Sequence, residues 1–437
     1  MNPTALLATL LLGAASALSA QDSSLTILAG RVLNVETGAY DSNVVLTVRG
    51  GVITDVRKAT GRASRANTID LSAYTVLPGL VDAHVHLCDN SYMEDGFDHL
   101  AYPGATFGIV GTVNARTTLR AGFTTVRNPS DAFYCDVALR DAIARGWIEG
   151  PRVFASGPIL TITGGHGAWG NWLAPEHRLT THASAVVDGV DEARKAVRTH
   201  IQYGVDLIKV AATGGFGTPG SIPGAASFTV EEMAAMVDEA GKRGLAVTAH
   251  AHGPEGIANA IRAGVRSIEH GTFLDEAAIQ LMKERDVFLV MDLLAARYDL
   301  IEVNKDFSDK ALADGNAEEY AKMVARLRQA YEAGVRIAFG TDASVFPHGR
   351  NAEQFRLMVD AGMSPADAIR SATSWAAELL GIGDEAGSLT AGRRADIIAV
   401  SGDPLRDVRV LERVEFVMKA GTVHLLPGRS GTEQPTR

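Results

Sequence analysis

The feature that most constrains the fold of this chain is a series of short apolar runs that carry a histidine, lysine or aspartate near their carboxyl ends. Longer amphipathic segments such as residues 230–243, with apolar residues at helical spacing, lie between the runs. This alternation is typical of parallel strands joined by helices, and it predicts an α/β fold, a (β/α)8 TIM-type barrel, over residues 76–382. The predicted strands are residues 77–87, 124–127, 152–156, 206–210, 245–250, 267–270, 287–293 and 335–342.

The carboxyl ends of the strands form one rim of such a barrel, and active sites are built there. His84 and His86 end the first run, and as residues i and i+2 of a strand they would project to the same face. Taken by itself, the pair is explained slightly better by two hydrogen-bonded histidines of an ordinary buried strand. Other predicted strand ends favour a metal site, because they carry the further candidate ligands Lys209, His250, His270 and Asp342.

Lys209 and Asp342 each allow a second interpretation. Lys209 lies within the apolar run 207–210, where an unpaired ammonium has a high desolvation cost. It is therefore either paired with a carboxylate or carbamylated by CO2 to an anion that can bridge two metal ions. Asp342 follows the strand residues 336–339 and can ligate a metal and move a proton, or cap a following helix. The rim histidines favour the metal site for both residues.

The sequence on either side of the barrel predicts one small β-domain. Residues 21–75 contain runs rich in Val, Ile and Thr, separated by glycine-containing turns such as Gly50-Gly51, which is the pattern of β-hairpins. Residues 383–426 return to strand and turn patterns, and we expect them to complete a small β-sandwich with the amino-terminal strands. The polar residues 427–437 are predicted to form a flexible tail.

The first twenty residues predict export. Residues 5–12 are apolar, small residues follow them, and the segment carries no charged side chain, so residues 1–20 have the pattern of a secretory signal peptide without the usual amino-terminal lysine or arginine. Retention of this segment as an apolar helix is the alternative. Since no later run of about 18 apolar residues follows, we expect no membrane span after cleavage and a periplasmic or secreted protein.

The charge of the chain argues against two classes of binding partner, and its cysteines allow at most one disulfide. The formal net charge of −10 and the absence of a Lys/Arg cluster argue against binding to nucleic acid or to an anionic membrane. The expected partner is a small-molecule substrate, and the sequence leaves a homo-oligomer open. Cys88 and Cys135 are the two cysteines, and they are either one disulfide or two partly buried thiols.

Together, the motifs PGLVDAHVHL, LIKV, TAHAHG, IEHG and GTDAS resemble the amidohydrolase superfamily of metal-dependent hydrolases. Within it, the chain is most similar to the imidazolonepropionase-like and Xaa-Pro dipeptidase (prolidase-like) group, which includes ochratoxin-hydrolysing amidases. The resemblance implies a binuclear centre with two divalent metal ions, commonly zinc. It implies a buried ion held by His84, His86 and Asp342, a bridging carbamylated Lys209, and an outer ion held by His250 and His270.

Four further residues are candidates for contact with the substrate. His252 lies two residues after His250 and could polarise the scissile carbonyl, or could be an ordinary loop histidine. His166 lies in a glycine-rich loop of the kind that members of the group carry near the substrate. Arg297 and Tyr298 follow the seventh predicted strand and could bind a substrate carboxylate, although a solvent-exposed arginine is the commoner explanation. The Gly- and Pro-rich residues 213–227 are a candidate lid.

The expected reaction is hydrolysis of an amide bond by a hydroxide that bridges two metal ions, with Asp342 taking its proton and returning it to the leaving nitrogen. The expected substrates are dipeptides or N-acyl amino acids with a free carboxylate, including Xaa-Pro dipeptides or an aryl-acyl phenylalanine such as ochratoxin. A cyclic amide, a lactone or a phosphotriester is the alternative. A catalytically silent scaffold is the non-enzyme alternative, and it is disfavoured because all six ligand positions are filled.

Overall fold

A computed structural model describes residues 24–60, 67–89, 102–174, 176–177, 185–302 and 310–428, with backbone alone for 310–315. The predicted signal peptide, residues 1–20, and almost all of the predicted tail lie outside the described residues. Within the described part of the chain, no helix has the length and apolar character needed to cross a membrane.

The two ends of the chain form one seven-stranded sheet, as expected from the hairpin patterns. Its strands are β1 (Leu25–Asn34), β2 (Ala39–Arg49), β3 (Val52–Lys58), β4 (Thr68–Pro78), β14 (Ile397–Val400), β15 (Val414–Lys419) and β16 (Thr422–Leu425). They lie in the order β16-β15-β14-β4-β1-β2-β3, in which β4 joins the amino-terminal strands to the carboxyl-terminal ones.

This sheet folds over onto itself and encloses its own core. The turn before β3 meets the segment before β14, because Ile53 N donates to Arg393 O and Ala395 N donates to Gly51 O, both at 2.8 Å. Side chains from both ends of the sheet, such as Leu46 and Phe416, are buried together in this core. The small domain is therefore a sandwich built from both termini.

Seven regular strands and one irregular segment form the barrel. The regular ones are β5 (Leu80–Asp82), β6 (Phe123–Asn128), β7 (Arg152–Ala155), β10 (Leu207–Ala211), β11 (Ala246–Ala251), β12 (Ser267–His270) and β13 (Phe288–Val290). Two short strands, β8 (Leu160–Thr161) and β9 (Ala185–Val186), extend the sheet beside β10. Asp206 N donates to Ala155 O at 2.7 Å and so connects β7 to the start of β10.

Residues 335–342, predicted as the eighth strand, close the barrel without forming a regular strand. Ala338 N donates to Leu289 O at 3.0 Å, and Ala83 N donates to Phe339 O at 2.8 Å, so this segment joins β13 to β5. The chain then turns at Asp342, whose φ of 56° ends any extended run. The closed barrel that the sequence predicts is confirmed, with its last position held by isolated hydrogen bonds.

The first predicted strand is divided between the two domains. β4 ends in the small sheet at Pro78, and β5 begins in the barrel at Leu80. Gly79 permits the change of direction at a crowded point, because a Cβ there would lie 2.2 Å from Thr124 Oγ1. His84 and His86 therefore follow a three-residue strand rather than ending a long one.

Helices cover the outside of the barrel. They are α1 (Gly104–Arg120), α2 (Cys135–Ala144), α3 (Val190–Gln202), α4 (Val230–Gly241), α5 (Pro254–Ala263), α6 (Glu276–Arg285), α7 (Leu293–Arg297), α8 (Lys310–Glu332), α9 (Glu353–Asp360), α10 (Pro365–Ser371) and α11 (Ser374–Leu379). Between α10 and α11, Ala372 O accepts a hydrogen bond from Val81 N of β5 at 2.7 Å, so the two helices do not form one continuous helix. Cys88 and Cys135 form a disulfide that connects the segment after β5 to the start of α2.

Candidate metal centre

Six imidazole rings meet at the carboxyl end of the barrel. The centroids of neighbouring rings lie between 4.2 and 5.3 Å apart. All six rings line one cavity of about 880 Å³, together with Lys209 and Asp342. The structure thus brings to one place all six predicted metal ligands and two of the predicted substrate residues. The rings are those of His84, His86, His166, His250, His252 and His270.

His84 and His86 both approach the same carboxylate. His86 Nε2 lies 3.0 Å from Asp342 Oδ1, and His84 Nε2 lies 3.5 Å from that oxygen. The other ring nitrogen of His86, Nδ1, donates to Ser130 O at 2.6 Å. Nε2 of His86 is therefore the nitrogen that points into the cavity, toward Asp342. Burial alone would lower the pKa of His86, but Asp342 outweighs it and raises that pKa to about 9.

Asp342 is positioned by a turn and by a close approach of backbone. A Cβ on Gly340 would lie 2.3 Å from Val290 Cγ1 and 3.0 Å from His84 Cβ, so only glycine lets the GTDAS segment lie against His84. Asp342 N then donates to His84 O at 2.8 Å. Burial alone would raise the pKa of Asp342, but His84 and His86 hold it well below its usual range and keep the side chain a carboxylate.

His250 and His270 reach the cavity by different routes. His250 lies on the same face of β11 as Thr248, whose hydroxyl contacts Glu269 in the barrel interior, so His250 also faces the interior. His270 has a φ of 70° at the end of β12, which turns its side chain toward the rim. His250 Nε2 donates to Gly214 O at 3.2 Å, and His270 Nδ1 donates to Asp292 Oδ1 at 2.9 Å. His250 Nδ1 and His270 Nε2 therefore carry the lone pairs available to a metal.

Lys209 is buried in the same cavity, with 2% of its surface exposed. It lies on β10 between Ile208 and Val210, whose side chains pack in the main apolar core, so it alone of the three faces the barrel interior. Burial lowers the pKa of Lys209 to about 8. The lowered pKa makes the neutral amine, which is the form that reacts with CO2, more available near neutral pH than in an ordinary lysine.

The donor set fits divalent metal ions. Ligand atoms of His84, His270 and Asp342 lie within 4.8 Å of one another. His84 Nε2 is fully buried and has no hydrogen-bond partner among the described residues, although a buried polar atom without a partner costs about 1–3 kcal/mol. Imidazole nitrogen with carboxylate oxygen is a ligand set that zinc accepts. The buried nitrogen and its neighbours therefore form a site that an ion would complete.

His166 and His252 flank this group. The His166 ring stacks on His250 at 4.2 Å between centroids, and its Nδ1 is hydrogen-bonded to Thr218 Oγ1 at 3.0 Å. His252 stacks on His270 at 5.0 Å, and its Nδ1 is hydrogen-bonded to Thr272 Oγ1 at 2.7 Å. Burial lowers the pKa of both rings, so both are neutral near pH 7.

Arg297 and Tyr298 are placed differently from the prediction. Neither side chain lines the cavity as the described residues define it. Each residue of a helix is rotated by about 100° from the one before, and α7 presents Ala295 and Ala296 to the cavity. The Tyr298 ring instead packs on that of Phe346, with 6.3 Å between the ring centroids. Substrate binding by Arg297 and Tyr298 stays a prediction, since neither residue is among those that line the cavity.

Four residues that support the predicted metal ligands were not identified from the sequence. Asp292 holds His270, and Ser130 holds His86 through its backbone oxygen. Glu269, which is completely buried, accepts from His84 Nδ1 at 2.8 Å and is paired with Arg127. The sequence did contain a signal for the Arg127–Glu269 pair. One predicted buried strand carries a single arginine and another carries a single glutamate, and buried opposite charges are expected to pair.

The cavity lining combines aromatic and polar side chains. Phe107, Trp169, Trp172 and Phe216 are its aromatic residues. Phe216 is 64% exposed, belongs to the predicted lid 213–227, and packs edge-on against His252, with 4.9 Å between ring centroids. Asp299, Asn316 and Glu319 are among its polar residues. Lys209 is the one lysine or arginine among the described residues that line the cavity.

The barrel rim carries histidines, a lysine and an aspartate in the order that the motif resemblance implies. Residues 75–424 match the amidohydrolase family, and the chain belongs to that family. It is a hydrolase that acts on C–N bonds. The resemblance inferred from the motifs is thus confirmed.

Individual relatives define the group more closely. The chain is 32% identical over 439 residues to ochratoxinase of Aspergillus niger, a match that covers 94% of this chain and 88% of that protein. It superposes on the crystal structure of a Xaa-Pro dipeptidase with bound methionine with a TM-score of 0.85, 37% identity, and coverage of 92% and 99%. A prolidase complexed with N-methylphosphonate-L-proline gives a TM-score of 0.82, 32% identity, and coverage of 92% and 99%.

Proposed function

We propose that this protein is a binuclear metal-dependent amidohydrolase that cleaves the amide bond of a dipeptide or an N-acyl amino acid with a free carboxylate. One observation carries the proposal. A buried histidine nitrogen, His84 Nε2, lacks a hydrogen-bond partner among the described residues and lies with ligand atoms of His270 and Asp342 in the lining of a large cavity. A silent scaffold would have no reason to keep such a nitrogen unsatisfied.

The proposed ligands form two groups. His84, His86 and Asp342 would hold the inner ion, His250 and His270 would hold the outer one, and carbamylated Lys209 would bridge them. Carbamylation forms a bond between Lys209 Nζ and the carbon of CO2 and releases one proton from the nitrogen. Zinc ions held there would lower the pKa of a bound water from about 15.7 toward 7 and would polarise a substrate carbonyl.

The protein's own groups would move the proton and orient the substrate. Asp342 stays a carboxylate near pH 7, so it can accept a proton from the attacking water and return it to the leaving nitrogen. His252 is neutral and lies beside His270, where it can donate to the substrate carbonyl. His166 and Thr218 form a hydrogen-bonded pair in the cavity lining and are the proposed contacts for the substrate carboxylate.

The choice of substrate class rests on the relatives and on the aromatic residues that line the cavity. The relatives include an ochratoxinase and a Xaa-Pro dipeptidase. Phe107, Trp169 and Phe216 offer a surface on which an aromatic or other apolar acyl group would pack. A cavity of about 880 Å³ is large enough for a dipeptide or an aryl-acyl amino acid and too small for a folded protein.

A hydrolysis panel on zinc-reconstituted protein tests this proposal. The panel contains Xaa-Pro dipeptides, ochratoxin A, other N-acyl aromatic amino acids, a cyclic amide, a lactone and a phosphotriester. Each acid is paired with its carboxamide, which has the same shape without the negative charge. We expect kcat/KM to be highest for a free acid and to fall at least about tenfold for its carboxamide, because a charge-assisted hydrogen bond contributes about 1.5–3 kcal/mol. A lactone or phosphotriester as the best substrate would contradict the proposal.

We also propose that the protein is exported, to the periplasm or beyond. The apolar residues 1–20 support this, and so does the Cys88–Cys135 disulfide, since such bonds persist in oxidising compartments. Mass spectrometry of the mature protein from its native host tests both points, because cleavage would leave a new amino terminus near residue 20 or 21. Protein found in the cytoplasm with Met1 intact would refute export.

A further inference from the structure

Glu269 is a buried carboxylate that the proposed chemistry does not use. It lies on β12 next to His270, and none of its surface is exposed. Like Ser267, it faces the barrel interior, while Ile268 packs in the outer core. Its Oε2 accepts from His84 Nδ1 at 2.8 Å, so it joins the sixth barrel strand to the segment after the first.

Several donors fix the position of this carboxylate. Arg127 Nη2 lies 2.7 Å from both of its oxygens, and Ser267 Oγ donates to Oε1 at 2.6 Å. The hydroxyl of Thr248 donates to the same oxygen. Arg127 is itself held, because its Nε donates to Ala83 O at 2.5 Å and its Nη1 donates to Ser267 Oγ at 2.9 Å. The carboxylate therefore cannot rotate away from His84 without breaking several buried hydrogen bonds.

This arrangement decides which nitrogen of His84 is free. A carboxylate can only accept, so Nδ1 of His84 carries the hydrogen and Nε2 carries the lone pair. Nε2 lies 3.5 Å from Asp342 Oδ1 and has no hydrogen-bond partner within the described part of the chain. Arg127 balances the charge of Glu269, so the carboxylate increases the electron density of the imidazole without adding net charge to the interior.

We propose that Glu269, held by Arg127, is the positioning residue for His84: it fixes the tautomer and the orientation of the ring and so sets the affinity of the inner metal site. The inference rests on the proposed function, because it assigns a role to a residue that contacts a proposed ligand. Glu269 touches neither the substrate nor an ion in this account.

Zinc affinity, measured by competition with a chromophoric chelator, tests the inference without any assay of activity. Glu269→Gln keeps the size of the side chain and removes its charge. Ser267→Ala is the matched control, because Ser267 contacts the same carboxylate and the same arginine but not His84. Since Glu269→Gln leaves Arg127 without its counter-charge, the neutral pair Glu269→Gln/Arg127→Met provides a second variant. Thermal unfolding of each metal-free protein is measured alongside.

We expect the wild-type protein to bind two zinc ions, and both Glu269 variants to bind one of them about 10–100-fold more weakly. Ser267→Ala should keep both affinities near the wild-type values. The absorption spectrum of the cobalt-substituted protein should change in the Glu269 variants at one site of the two. Unchanged zinc affinities in folded Glu269 variants would overturn this inference and leave the proposed function standing. A wild-type protein that binds no zinc would overturn both.

Discussion

Replacement of both cysteines, Cys88→Ser with Cys135→Ser, should destabilise the protein without removing its metal ions. The disulfide closes a loop with a sequence separation of 47 residues. The chain-entropy relation for a loop of that length gives about 4 kcal/mol of lost stability at 25 °C. If the 437 residues unfold together, their large entropy of unfolding converts this loss into a decrease in Tm of only about 4 °C.

Metal ions should be retained because hydrogen bonds hold the same segment in place. Leu87 N donates to Asn128 Oδ1 at 2.7 Å, Cys88 N donates to Asp131 Oδ2 at 3.1 Å, and Asn114 Nδ2 donates to Leu87 O at 2.8 Å. The disulfide therefore stabilises the protein chiefly by restricting the unfolded chain. Without it, His86, two residues before Cys88, should keep its position.

Calorimetry and metal analysis of the oxidised wild type, the reduced wild type and the double serine variant measure both effects. A thiol titration in denaturant comes first, and it should find no free thiol in the oxidised wild type. The reduced wild type and the double variant should share one Tm, which lies below that of the oxidised protein. Both should have the same metal content as the oxidised protein. An unchanged Tm would refute the entropic reasoning, and a loss of metal at an unchanged Tm would show that the bridge acts on the site.

Three further outcomes are expected. Asp342→Asn should lower kcat about 10²–10⁴-fold, because the proton acceptor is lost, and elemental analysis should still find metal; full turnover would contradict its role. Gly215→Ala should raise KM, because a Cβ at that position would lie 2.4 Å from His166 Nδ1. The control Gly224→Ala, in the same loop but not among the residues that line the cavity, meets nothing within 4 Å and should leave KM unchanged; equal effects on KM would argue against His166 as a substrate contact. Carbon-13 NMR of wild type equilibrated with labelled bicarbonate should show a carbamate signal that Lys209→Ala lacks, and a signal in both proteins would place the carbamate elsewhere.

The sequence alone determined the positions of the strand ends and the kinds of side chain they carry. Spacing of two along a strand and an apolar run before each polar residue are local properties, and they predicted that His84, His250 and His270 would share one rim. The closed barrel and the two-part small domain follow from the same patterns, because each strand must bury its apolar face.

Only the tertiary structure decided which side chains support the metal ligands. Arg127 and Glu269 are 142 residues apart and pair across the barrel interior, a contact set by strand order and stagger rather than by local spacing. The rotation of α7 turned Arg297 away from the cavity, although its position after the seventh strand favoured the opposite. Local sequence fixes the face of an element on which a residue lies, whereas the packing of distant elements fixes what that face meets.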